Sequence, residues 1–325
     1  MLIMKIPFIS LLKHKHHSDA GYVVIPSANG VYCVQIEQAA GRPRVKTFAY
    51  HQLPGMQSSG VTSAALEKIH KKMGLGNFQF STLLAPGDYQ LLQIEAPNVP
   101  DEEIKSAVRW SIKDSLSFSV DDASIDVLVI PTAPGIGERK KSLYVVAAAN
   151  AVIKKRTDLF QRANMDLQVI DIPEMAQRNI AALYEKEGRT LALLAFDESG
   201  GLLTFTSSGE LFMARRIEIS TGQLQDADES TRQQYLDRLE LEVQRSLDYF
   251  DRQFNYASVN RLLVSVPSQS GLIEKLAENL SVPVERLDLS QVMDLGIEPE
   301  LEDEDMQVYA LHALGAALRI ERQEQ

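Results

Sequence analysis

Residues 22–48 read YVVIPSANGVYCVQIEQAAGRPRVKTF. Three runs rich in β-branched and aromatic residues, 22–25, 31–36 and 45–48, are separated by turn signals at Asn29-Gly30 and Gly41, which predicts a three-stranded meander. A helix is expected from Thr62 to Lys72, with Leu66, Ile69 and Met73 at helical spacing, and strands near 82–84 and 89–94. The same order returns at 191–217, LALLAFDESGGLLTFTSSGELFMARRI, where Ser199-Gly200-Gly201 and Ser208-Gly209 punctuate three apolar runs. A long helical stretch, 230–254, and a buried-type strand, 261–265, follow. Two meander-then-helix halves imply a duplicated α/β chain.

The stretch between the halves, 96–165, has a different pattern. An acidic helix start, Pro100-Asp101-Glu102-Glu103, precedes a stripe of Ile104, Val108, Ile112 and Leu116. Strands are expected at 125–130 and 143–148 around a turn at 131–137, and a helix at 151–163 closes an inserted subdomain. The expected divisions are a flexible basic tail (1–19), a first lobe (20–95), the insert (96–165), a return to the first lobe (166–187) and a second lobe (188–293). An acidic loop (294–305) and a C-terminal helix (306–325) returning to the first lobe complete the chain. The acidic loop carries seven carboxylates, and like charges that close favour solvation, so it is expected to be mobile.

Composition excludes several classes of function. A net charge of -11, from 33 Lys+Arg against 44 Asp+Glu, disfavours nucleic acid, which demands clustered cations. A lone cysteine, Cys33, rules out an intramolecular disulfide and suits a reducing compartment. The start, MLIMKIPFISLLKHKHH, places charge after its apolar run, the reverse of an export signal. No apolar run approaches the ~20 residues of a membrane span, so a cytoplasmic chain is expected, reaching a membrane through a partner.

Four segments carry a family resemblance: 100–130 (PDEEIKSAVRWSIKDSLSFSVDDASIDVLVI), 142–183, EVQRSLDYF at 242–250 and YALHALGAALR at 309–319. Their order and spacing resemble the PilM family of type IV pilus assembly proteins, and within it the MSHA pilus branch. The resemblance implies an actin-like fold, that is, a ribonuclease H-like duplicated, two-lobed α/β fold with an inserted FtsA/PilM-type subdomain in the first lobe. It also implies a cytoplasmic protein recruited to the inner face of the inner membrane by the tail of a PilN-like membrane protein, alongside other pilus assembly proteins.

Actin-like ATPases cradle phosphates between two Asp-x-Gly hairpins, glycine admitting backbone N–H groups and aspartate organising metal and water. Here Val24 stands where the first acid is expected and Pro26, which has no N–H, where the glycine is expected. The second hairpin keeps an acid, Asp197, with Ser199 and Gly200, although the glycine sits late and Glu198 intrudes. An ordinary hairpin turn is the favoured reading of these residues. The paired glycines of the adenosine-side turn are absent from 263–271, while Glu242 and Arg245 match ribose-side positions and read equally as an i,i+3 charge pair. A residual site for ATP or ADP with Mg would therefore comprise Asp197, Ser199, Gly200, Glu242 and Arg245, with weak hydrolysis at most. No catalytic residue and no metal-ligand set is expected.

His14, His16 and His17 read as part of the basic tail, and His312 as a residue of a core-packed helix. Arg109 and Trp110 divide evenly between core packing and a partner interface. Two functions remain: a pilus-machine scaffold with a degenerate nucleotide site, and an active actin-like ATPase whose nucleotide state regulates pilus assembly. A type II secretion L-type protein shares the fold and ranks third, because it is expected to continue into a membrane span.

Overall fold

The computed structural model describes residues 21–38, 41–53, 60–76, 78–132, 141–197, 199–226, 228–296 and 298–319. The basic tail with His14, His16 and His17, the turn at 133–137 and Glu198 lie outside the described residues. The chain opens with β1 (Tyr22–Pro26), β2 (Gly30–Gln38), β3 (Pro43–Gln52), α1 (Ser63–Met73), β4 (Gln79–Leu83) and β5 (Gln90–Glu95). Next come α2 (Ile104–Ile112), β6 (Ala123–Ile130), β7 (Ser142–Ala149), α3 (Asn150–Arg162), β8 (Asp166–Asp171) and α4 (Pro173–Tyr184). The second half holds β9 (Thr190–Asp197), β10 (Gly200–Ser207), β11 (Glu210–Ile217), α5 (Thr221–Leu224) and α6 (Glu229–Gln253). It ends with β12 (Val259–Ser265), α7 (Leu272–Asn279), β13 (Val284–Arg286) and α8 (Glu304–Ala317).

The duplication is explicit in strand order. One five-stranded sheet runs β3-β2-β1-β4-β8 and the other β11-β10-β9-β12-β13. In each, the first strand pairs antiparallel with the second and parallel with the fourth. The parallel additions, β4 to β8 and β12 to β13, are reached through helices, as parallel pairing requires. The chain divides into two compact units, one of residues up to 35, 49–173 and from 319, the other of 36–48 and 174–318.

Local chemistry sets the helix ends. Thr62 caps α1 by accepting from the Ala65 N–H at 3.3 Å, and Gly74 closes it in the left-handed conformation at φ 62°. Asp228 caps α6, whose buried stripe of Leu236, Leu239, Val243, Leu247 and Phe250 continues the 3.6-residue period. Phe250 stacks on Phe205 of β10 with ring centroids 4.6 Å apart.

The insert is a three-stranded antiparallel sheet, β5-β7-β6, with α2 on one face. Val108 and Ile112 pack on Leu143, Val145 and Ala147, and Ile104 and Leu116 join them, so the stripe read from sequence is the one buried. β5 pairs with β7 from Gln90 onward, so this sheet begins inside the stretch expected to be first lobe. Alternation announces a strand but not its neighbour.

Two segments differ from expectation. The last helix, expected to return to the first lobe, packs on β9 and also on α4, which lies within the 166–187 stretch assigned to that lobe from sequence; both belong to the second unit. A Cβ on Gly315 would sit 2.2 Å from the Ala176 carbonyl oxygen, so the small residues of α8 allow backbone-close contact with α4. Asn179 reinforces this by donating to the Gly315 carbonyl at 2.9 Å. The acidic stretch is not a free loop. Asp294 bridges β3, accepting from the Val45 N–H and donating to the Pro43 carbonyl, both at 2.8 Å, with its carboxylate 3.0 Å from Arg44. Leu301, in a 3-10 turn at Pro299–Glu302, is 1% exposed. Buried Leu301 and the Asp294 bridge to β3 thus both anchor the segment. Leu301→Ala is expected to cost about 2–5 kcal/mol, read from urea unfolding; a change within about 0.5 kcal/mol would return the segment to a solvated loop.

Candidate functional site

The first hairpin turn is closed by its own residues. Val24 is fully buried in β1. The Gly30 N–H donates to Ser27 Oγ at 3.1 Å, and the Ser27 N–H to the Gly30 carbonyl at 2.8 Å. Gly30 serves packing, because a Cβ there would lie 2.5 Å from the His51 carbonyl oxygen. The Ser27 and Gly30 N–H groups are thus engaged inside the turn.

Asp197, Ser199 and Gly200 come together as the sequence predicts, and they form an Asx-type turn. Asp197 Oδ1 accepts from the Ser199 N–H at 2.8 Å, the Ser199 hydroxyl and the Gly200 N–H at 3.1 Å. Gly200 has φ 141°, and a Cβ there would lie 2.6 Å from the Ile217 carbonyl oxygen. Its glycine is demanded by the fold itself. Glu242 and Arg245 form a separate cluster on α6: Arg215 of β11 reaches Glu242 at 2.5 Å, and Arg245 lies 3.9 Å from the same carboxylate.

The adenosine-side turn after β12 is likewise occupied from within. The Ser268 N–H and hydroxyl both donate to Asp305 Oδ1, at 2.9 and 2.7 Å, and Arg286 donates to the Val266 carbonyl at 2.9 Å.

Sequence reasoning missed the polar chain behind the second hairpin. Asp197 Oδ2 lies 3.6 Å from His312 Nδ1 of α8, and His312 Nε2 lies 3.1 Å from Gln177 Oε1 of α4. Gln177 in turn donates to β9 and β10, at the Leu193 and Leu202 carbonyls. Burial pushes the His312 imidazole down to about 4; Asp197 opposes this and Arg216 of β11 adds to it. Arg216 is held 3.3 Å from Glu174 of α4. The available signal was a lone histidine in the small apolar run 309–319, since a histidine buried there must find polar partners. Among the described residues no group of three His, Cys, Asp or Glu side chains comes together to hold a metal ion.

Arg109 and Trp110 have different roles. Arg109 bridges backbone, donating to the Val120 carbonyl at 2.6 Å and the Ala123 carbonyl at 2.9 Å. Trp110 is 80% exposed on the outer side of α2. Val129, near the end of edge strand β6, is 57% exposed.

Residues 27–195 match the family model "Type IV pilus assembly protein PilM". The chain belongs to the PilM family. Among solved structures it is similar to the PilM-PilN type IV pilus biogenesis complex, with a TM-score of 0.75, 18% identity and coverage of 94% of this chain and 99% of that one. It is also similar to the cytoplasmic domain of EpsL from the type II secretion system of Vibrio cholerae (TM-score 0.48, 15% identity, 83% and 91% covered). A Bacteroides thetaiotaomicron protein of actin-like ATPase fold and unknown function gives 0.49 at 9% identity, with 92% and 96% covered. No curated protein matches the sequence. The duplicated sheets and the PilM match identify an actin-like fold. Among the described residues no helix is long and apolar enough to cross a membrane.

The roles of Arg109 and Trp110 separate experimentally. Arg109→Ala strands two carbonyls and is expected to cost about 1.5–3 kcal/mol, whereas Trp110→Ser should stay within about 0.5 kcal/mol, both by urea unfolding. Equal losses would refute the assignment.

Proposed function

We propose that this PilM-family chain is a non-catalytic scaffold of an MSHA-type pilus biogenesis machine, an MshI-like protein that binds the cytoplasmic tail of a PilN-like inner-membrane protein and carries a degenerate nucleotide site. The observation that supports this reading is that the three turns matched to the nucleotide-contacting turns of actin-like ATPases each hold internal hydrogen bonds. Ser27 takes the Gly30 N–H, Asp197 caps its own turn, and Asp305 takes the Ser268 donors. Metal and phosphate positioning supply nearly all of phosphoryl-transfer catalysis, so Val24 and Pro26 at the first hairpin support little or no hydrolysis. In the PilM-PilN complex the relative assembles with PilN. This supports a PilN-like partner here, and hence a cytoplasmic place at the inner face of the inner membrane.

The insert supplies a surface suited to an extended tail. β6 is an edge strand, paired with β7 on one side, and its free edge can add a strand through backbone hydrogen bonds. Exposed Val129 on that strand and Trp110 on α2 offer apolar contact. The alternative, an active ATPase, rests on the retained Asp197; metal-dependent ATP turnover abolished by Asp197→Ala would favour it.

Calorimetry with a synthetic N-terminal tail of a PilN-like protein tests the reading. The intact chain should bind it, and Val129→Lys, at an exposed position that leaves folding unaffected, should weaken binding by at least about 10-fold, equivalent to about 1.4 kcal/mol. No binding to the intact chain would overturn the partner. Unchanged binding by the Val129→Lys chain would move the docking surface away from β6.

A further inference from the structure

The outward face of α6 carries a pattern that neither the hairpins nor the insert explain. The buried stripe of this helix fixes which side meets solvent, and on the opposite side stand Arg238, Leu241, Arg245, Tyr249 and Arg252, all exposed. Seven helical residues return to within about 20° of the same direction, so the three arginines form one row about 21 Å long. Leu241 and Tyr249 lie within the row, each three residues from one arginine and four from the next. Of five large apolar side chains exposed among the described residues, three belong here: Leu241 at 48%, Tyr249 at 47% and Tyr256, just past the helix, at 40%. The Tyr256 ring rests near Phe212 and Phe254, with centroids 6.5 and 6.2 Å away, which holds this end in place.

The carboxylates of α6 do not neutralise the row. Asp237 and Glu240 both reach Lys275 of α7, at 2.6 and 3.3 Å, Glu242 takes Arg215 at 2.5 Å, and Asp248 accepts from Gln244 at 2.8 Å. Arg245 has a 3.9 Å contact with Glu242. Arg238 and Arg252 have no hydrogen bond or ion pair among the described residues. In a chain of net charge -11 this row is a local reversal of sign. Arginine and tyrosine set around apolar side chains are the composition from which binding hot spots are made.

The same face of a second copy is a poor occupant. Antiparallel pairing about Arg245 sets Arg238 against Arg252, and parallel pairing sets each arginine beside its counterpart, so like charges meet either way. We infer that this face of α6 docks an acidic amphipathic helix of a partner protein, whose carboxylates recur every seven residues and whose apolar side chains meet Leu241 and Tyr249. Two helices lying side by side at a shallow angle keep rows of this period in register, and guanidinium pairs with carboxylate in a planar, two-bond geometry. The face lies wholly in the second unit and the β6 edge in the first, so this docking stands independently of a PilN-like tail.

The probe is a synthetic helical peptide of about 21 residues, three heptads with Leu and Glu on one face and Ala and Gln elsewhere. Its control has Gln in place of each Glu. Binding is read by fluorescence anisotropy at low salt, using the full chain and the full chain carrying Arg238→Glu with Arg252→Glu. A second variant carries Leu241→Ser with Tyr249→Ser, and melting curves check that each is folded. The intact chain should bind the acidic peptide one-to-one, although its net charge repels an acidic probe elsewhere. Each variant should bind it at least about 10-fold more weakly, and the control peptide should bind the intact chain at least about 10-fold more weakly. No saturable binding by the intact chain, equal binding by either folded variant, or equal binding of the control peptide would overturn the proposal. So would sedimentation showing an intact-chain dimer that Arg238→Glu with Arg252→Glu dissolves, because a second copy would then be the occupant.

Discussion

A buried or half-buried polar group gains from a partner, and at the three turns after β1, β9 and β12 hydrogen-bond partners are internal. The Asp197 carboxylate shows the constraint most clearly: one oxygen closes its own turn, and the other faces α8. The α8 histidine reaches Gln177, and Gln177 reaches two strands of the sheet. A hairpin suited to meeting a ligand is thus wired into the middle of its own unit. In a low-dielectric interior, breaking one such bond leaves a desolvated group behind, which makes the closed arrangement hard to open.

The same logic runs through both halves. The first hairpin has Pro26, without an N–H, and Ser27 binds back to Gly30. The turn after β12 has Ser268 bound to Asp305 at the start of α8. Because α8 supplies both His312 and Asp305, the helix that covers β9 also reaches two of the three turns. Its Gly315 permits the close approach to α4 that brings His312 to Gln177. An actin-like framework is kept, and under the proposed function its hairpin chemistry has given way to a surface for partners.

Legibility from sequence followed the range of the interactions. The meanders were readable because β-branched runs and Asn-Gly or Gly-containing turns are local signals, and the α2 stripe because its period is local. Val24 and Pro26 were readable as departures because the chemistry each position lacks follows from residue type. Distant pairs were not: 115 positions separate Asp197 from His312, and Ser268 lies 37 from Asp305. No local pattern joins them. Leu301 was hidden among carboxylates whose bulk signal said solvent, and the pairing of β5 with β7 was hidden because a strand's alternation does not name its neighbour. Arg109 and Trp110, adjacent in sequence, diverged because successive helix positions point about 100° apart.

The account stands or falls on whether internal partners have replaced the nucleotide. Isothermal titration of Mg-ATP into the full chain measures this directly. Saturated turns should give no one-to-one binding isotherm and no rise in melting temperature, since a ligand that binds the native state must stabilise it. A saturable, metal-dependent one-to-one isotherm with micromolar affinity would contradict the account and make the chain a nucleotide-responsive actin-like protein.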